Sequence, residues 1–146
     1  MLKELKQKFE KVTNPKLLAE IGYEILESQD EFDRQKEHFI AIGLNTKNIP
    51  QYADVVSVGT LDASLVHPRE TFRRAVHQGV SSIALLHNHP SGDTSPSQED
   101  LKVTERLIEA GKVLGIDVLD HVIIGADPYK FHSIREHDTH YFAWPS

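Results

Sequence analysis

Two histidines two residues apart, His87 and His89, are followed by a turn-rich loop and then by Ser97 and Asp100. The run SSIALLHNH that carries the histidines reads as a buried strand, and the period of two along a strand projects both imidazoles from one face. The next residues, PSGDTSPS, are a dense set of turn formers, and the chain then enters a helix at Ser97 with Asp100 one turn inside it. A strand end that adjoins a helix start can deliver two imidazoles and one carboxylate to one point. Three such ligands leave the fourth tetrahedral position of a zinc ion open for water, which is the arrangement of catalytic rather than structural zinc. Zinc lowers the pKa of such a water to ~7 and polarises a carbonyl, so hydrolysis is the chemistry this set would perform.

A plainer reading competes with that one. Ser97 and Asp100 are spaced as a capping box, with Ser97 as N-cap and an acidic residue at the third helical position. Two strand histidines taken alone are often only structural. The conjunction of both histidines, the loop and the Ser/Asp helix entry is what favours a metal site. The two readings are also compatible, since Ser97 can cap the helix and still face the site.

The elements around these residues alternate between helix and strand. Leu2, Leu5, Phe9 and Val12 fall at helical spacing, and a break at Asn14-Pro15 leads into a second helix to about Ser28, with Leu18, Ile21 and Ile25 on one face. The polar stretch from Gln29 to Glu37 reads as a boundary, which divides the chain into a helical arm over 1–30 and a main domain over 31–146. Strands follow at HFIAIGL and up to VVSVGT, joined by a turn at Asn45–Asn48. His67-Pro68 opens a helix that Gly79 stops, and Ser97 to Leu114 is the strongest helix in the chain, closed by Gly115. The strand IDVLDHVIIG ends at Gly125, and the aromatic, His-rich tail from Phe131 to Trp144 carries no assignable element. The expectation is a mixed α/β domain of about five strands and three or four helices.

Composition narrows the function classes. The chain has 146 residues, which suits one domain of ordinary size. It has no cysteine, so disulfides, thiolate metal sites and a cysteine nucleophile are excluded, and a cytoplasmic setting is expected. No run of ~18 apolar residues could cross a membrane, and the charged start MLKELKQKFEKV lacks the apolar core of a signal peptide. The formal charge of −6 gives no global field for DNA, and no Arg/Lys-aromatic cluster supplies a local one. Nine histidines are many for this length, and in a cysteine-free chain histidine is the natural transition-metal ligand.

His87-Asn88-His89, Ser97 and Asp100 reproduce the H-x-H-x7-S-x2-D signature of the JAMM/MPN metalloprotease superfamily. The surrounding text, SVGTLDASLVHPRETF and then HNHPSGDTSPSQEDLKVTERLIEAGKVLGIDVLDHVIIG, resembles the RadC branch of that superfamily from about Glu37 to Gly125. The resemblance implies a deaminase-like α/β fold, a curved mixed sheet flanked by helices, with Zn2+ held by His87, His89 and Asp100. It further implies that Ser97 hydrogen-bonds a developing oxyanion, where one donor is worth ~2.7–4 kcal/mol in comparable sites. A glutamate just before the first strand serves that superfamily as general base, and Glu37 stands in that place, with Glu31 and Glu70 as rivals. As an isolated residue Glu37 would be a solvent-facing charge. Glu70 falls in the first turn of a helix, where a dipole-stabilising role suffices.

Other residues carry weaker signals. Asp120-His121 opens the strand after the long helix, where His121 is either a satisfied core histidine or a partner that orients a ligand imidazole. His67 and Arg69 match the RadC pattern and could line a groove. His132, His137 and His140 fit no ligand spacing and are read as a solvated tail. Two departures from the pattern stand out. About thirty residues precede the matching part, too few for the helix-hairpin-helix region of many RadC relatives, and Leu44-Asn45-Thr46 stands where the family usually has LDT. The implied activity is zinc-dependent hydrolysis of an amide or isopeptide bond in a peptide or protein substrate. A DNA-repair nucleic-acid-binding protein and a noncatalytic MPN scaffold are the alternatives. The acidic charge argues against nucleic acid as the main partner, and the complete five-residue signature argues against a scaffold.

Overall fold

A computed structural model describes residues 11–125, 127 and 129–137 of the chain. Five strands, β1 (His38–Leu44), β2 (Pro50–Val58), β3 (Ser82–Asn88), β4 (Asp117–Ile124) and β5 (Phe131–Ser133), form one sheet in the order β2-β1-β3-β4-β5. Only the β3–β4 pair is parallel; β1 runs antiparallel to both β2 and β3, and β5 antiparallel to β4. Three long helices, α1 (Pro15–Glu27), α3 (Pro68–Gln78) and α4 (Gln98–Leu114), accompany two single-turn ones, α2 (Glu31–Arg34) and α5 (Ile134–His137). The mixed α/β class and the strand count agree with the sequence reading.

The sheet is buried on both faces because its central strands are mostly apolar, β1 and β3 being buried throughout. On one face Ile40, Ile42, Ala84, Leu86, Val122 and Ile124 meet Leu18, Ile21 and Ile25 of α1. On the other, Phe39, Ala41, Ile83 and Leu85 meet Phe72 and Ala75 of α3 and Val103 and Leu107 of α4. Helix α1 is thus part of the domain core, and 29–37 is the surface connection from it to β1. Asn14 caps α1 through a bond to the Leu17 N–H, with Pro15 in its first turn.

The helix expected over Leu2–Val12 lies outside the described residues except at its end. There the expectation fails: residues 11–13 are not helical, and the Val12 N–H donates to the Asn48 carbonyl at 2.8 Å. The expected solvated tail is also corrected. His132 pairs with Ile123 in the β4–β5 ladder, Ser133 and Ile134 are fully buried, and the His132 and His137 rings stack at 4.2 Å. Asp120 organises that return, accepting from the Ser133 hydroxyl and the Arg135 N–H. His140 lies outside the described residues. Among the described residues no helix is long and apolar enough to cross a membrane.

Helix α4 positions Asp100, and its far end is fixed by a close approach. A Cβ on Gly111 would lie 2.3 Å from the Ile116 carbonyl oxygen, a main-chain atom that accepts no such neighbour. Gly115, at φ 73°, turns the chain so that the Ile116 N–H returns to the Gly111 carbonyl. In an open helix Gly→Ala gains ~1 kcal/mol. Here the clash should win, and Gly111→Ala should destabilise the protein by ~1–3 kcal/mol, read as a lower urea midpoint. A raised midpoint would show that the end of α4 is free to move.

Candidate metal centre

β3 alternates as its pattern requires. Ala84 and Leu86 face α1, whereas Ile83, Leu85 and His87 face α4. The ladder runs one bond past the strand, with the His89 N–H donating to the Ile124 carbonyl at 3.0 Å, which keeps His89 on the His87 face. Ser97 then starts α4 beside the strand end.

His87, His89 and Asp100 meet there, with ligand atoms all within 4.8 Å of one another. His87 Nε2 is 3.1 Å from Asp100 Oδ1, His89 Nε2 is 3.1 Å from Asp100 Oδ2, and the two Nε2 atoms are 2.9 Å apart. These spacings approach the ~3.3 Å edges of a tetrahedron drawn with ligand bonds of ~2.0–2.1 Å. His89 Nδ1 lies 2.7 Å from the Asp93 carbonyl, which can only accept, so Nδ1 carries the hydrogen and Nε2 is left to ligate. The donor set therefore suits a zinc-type ion.

The capping box is present as well. The Asp100 N–H donates to Ser97 Oγ at 3.1 Å, and the Ser97 N–H donates to Asp100 Oδ2 at 2.8 Å. Capping is worth ~1 kcal/mol and works at a solvated helix end, so it does not account for an Asp100 only 2% exposed between two imidazoles. Burial alone would raise the Asp100 pKa. Its contacts with the His87 and His89 imidazoles outweigh burial and hold the carboxyl far below the usual carboxylate range. Among the described residues the Ser97 hydroxyl accepts a bond but donates none.

Glu37 directly precedes β1, and its Oε2 accepts the Leu61 N–H at 3.1 Å. It lies near enough to His89 for its charge to help raise that imidazole's pKa. The rivals are elsewhere in role: Glu31 is in the first turn of α2, and Glu70, in the first turn of α3, pairs with Arg69 and Arg73. His67 and Arg69 are exposed at the start of α3 and do not join the cluster. Asn45 holds the β1–β2 turn through the Lys47 and Ile49 N–H groups.

Two features went unread in the sequence. Asn88, between the ligating histidines, faces the other way; its Oδ1 accepts the His38 N–H at 2.6 Å and its Nδ2 donates to the Lys36 carbonyl at 3.0 Å. It therefore grips the chain on both sides of Glu37. Thr104, one turn beyond Asp100, donates to the Asp100 carbonyl and touches His121, whose other ring nitrogen meets His87. Of the two roles left open for His121, the contact with His87 is the one the ligand-orienting role requires.

A family profile described as the RadC-like JAB domain matches residues 12–139. The chain belongs to that family. Among its relatives, the UPF0758 protein of Desulforamulus reducens is 52% identical over 107 residues, covering 73% of this chain and 46% of its own length. That of Methanosarcina barkeri is 50% identical over 119 residues, 82% of this chain and 50% of the relative. One from Bacillus cereus is 51% identical over 102 residues, 70% and 44% respectively. This RadC-like chain spans about half the length of those relatives.

The centre without metal has a readable pH signature. The Asp100 bond raises the His89 pKa above its usual value, against the opposing effect of burial. A raised folded-state pKa adds stability that is full below the unfolded value, ~6.5, and is lost as pH climbs through the folded value. His121 runs the other way, because burial pushes its pKa well down. Burial, the largest cause of that shift, is common to wild type and a His89→Gln variant, so most of the contribution cancels in their difference. In EDTA the wild-type advantage over His89→Gln should therefore be largest near pH ~6 and shrink as pH rises. A constant difference in unfolding midpoints would refute the His89–Asp100 coupling.

Proposed function

We propose that this RadC-like domain is a zinc-dependent hydrolase of amide or isopeptide bonds in a peptide or protein substrate, working in the cytoplasm. The observation that carries the reading is the convergence of His87, His89 and Asp100 at a strand end, with Glu37 and an uncommitted Ser97 hydroxyl beside them. His87 Nε2, His89 Nε2 and the Asp100 carboxylate would hold the ion. Zinc so held would acidify a water and polarise the scissile carbonyl.

The remaining work falls to this chain's side chains. Glu37 takes the proton of the attacking water and returns it to the leaving amine, as general base and then general acid. Its Oε2 is tied to the Leu61 N–H, which orients the carboxylate and leaves Oε1 for proton transfer. Ser97 donates its O–H to the oxyanion as charge develops, while its oxygen keeps the cap on α4. Burial of His87 and Asp100 would keep bulk water from competing for the ligand atoms.

One zinc per chain should be found by metal analysis, and His89→Ala should lose it, because two ligands hold zinc poorly. Glu37→Gln should keep both zinc and fold, since the amide oxygen can still accept the Leu61 N–H. Proton acceptance alone is lost, so turnover on a cleavable isopeptide substrate should fall ~10²–10⁴-fold with KM little changed. Full zinc occupancy in His89→Ala, or unimpaired turnover in Glu37→Gln, would overturn the reading.

A further inference from the structure

We propose that His121 and Thr104 are positioning residues that fix the tautomer of His87, aiming its Nε2 lone pair at the metal. The inference rests on the metal-centre reading above and extends it to two residues outside the ligand set. Neither touches substrate or metal.

The argument follows one chain of hydrogen bonds from a group whose role is not negotiable. The Asp100 main-chain carbonyl can only accept. Thr104 Oγ1 lies 2.9 Å from it, so the single hydroxyl hydrogen of Thr104 goes there. With that hydrogen spent, Thr104 Oγ1 can only accept from its other neighbour, His121 Nδ1, 2.5 Å away. His121 therefore carries its hydrogen on Nδ1. The ring is completely buried, packed edge-on against Phe39, and contacts no carboxylate directly, which selects the neutral form. A neutral ring with Nδ1 protonated has a lone pair on Nε2. That atom sits 2.8 Å from His87 Nδ1, which must then donate to it. The His87 hydrogen is thus committed to Nδ1, and Nε2 is left bare, facing His89 and Asp100.

The reverse polarity would end on Asp100 Oδ1, 3.1 Å from His87 Nε2, and would cost the site a ligand. If His121 donated to His87, His87 would carry its hydrogen on Nε2 and could not ligate. Thr104 would then have to donate to His121 and give up its side-chain bond to the Asp100 carbonyl. Carboxylates and main-chain carbonyls commonly orient a ligating histidine. Here the same service comes from an imidazole and a hydroxyl in series.

The test compares zinc affinity, by chelator competition, in the full chain and in Thr104→Val, Thr104→Ser, His121→Phe and His89→Ala variants. Valine keeps the shape of threonine and removes only the hydroxyl. Phenylalanine fills the His121 volume and removes the acceptor. Thr104→Val and His121→Phe should bind zinc ~10–100-fold more weakly, whereas Thr104→Ser should stay near wild type. Long-range ¹⁵N–¹H correlation spectra of the wild type should show His121 protonated at Nδ1 and bare at Nε2, with or without zinc. Wild-type affinity in Thr104→Val, or a hydrogen on His121 Nε2, would overturn the proposal. If wild type and His89→Ala alike take up no zinc, the metal-centre reading fails instead, and the tautomer spectrum still decides the hydrogen-bond chain.

Discussion

The structure turns on the two-residue period at the end of β3. Because successive side chains leave a strand on opposite faces, His87 and His89 must share a face and Asn88 must take the other. Both faces are then used within a single turn of chain. The α4 side receives two imidazoles beside the start of a helix that brings a carboxylate. The α1 side receives an amide that binds main-chain groups on either side of Glu37. One strand end thus sets the candidate ligands and, through β1, the position of Glu37.

Buried polar groups must be satisfied, and here that demand does more than preserve stability. A histidine can ligate only through a nitrogen without hydrogen, so something must hold the hydrogen on the other nitrogen. For His89 it is the Asp93 carbonyl, supplied by the loop that follows the strand. For His87 the series through His121 and Thr104 ends on the Asp100 carbonyl, so the residue whose side chain completes the ligand set also anchors the orientation of another ligand. The loop and the strand each contribute one acceptor and the helix two. A register slip in β3 or β4 would break this arrangement while leaving the hydrophobic core nearly as well filled.

What the sequence disclosed and what it hid divide along one physical line. His87, His89, Ser97 and Asp100 lie within fourteen residues, and local rules of strand period and helix entry suffice to bring them together. Glu37 was placed by resemblance alone, since nothing local distinguishes it from the other charges of EFDRQKE. Asn88 and Thr104 were not read because their partners depend on the pairing of β1 with β3 and of β3 with β4, long-range registers that no local pattern specifies. His121 could be named but not decided for the same reason. The short β5 and α5 were missed because their residues are held by Asp120 rather than by any apolar period of their own.

Charge ties the pieces together. Asp100 and Glu37 bring two formal negative charges to a site where one of them is almost wholly buried, and the two ligating histidines, as neutral donors, offset neither. A proton on His89 leaves the group at −1, and a buried, incompletely balanced charge is unfavourable. A divalent cation held by the two imidazoles and Asp100 would bring the sum to zero and relieve the short Nε2–Nε2 approach, which otherwise needs a proton between the rings. Magnesium and calcium prefer a shell of oxygens, whereas two imidazoles with one carboxylate suit zinc and its neighbours. Electroneutrality and donor type therefore favour the same ion that the spacing does, and Glu37 enters the balance as a charge, apart from its proposed role as a base.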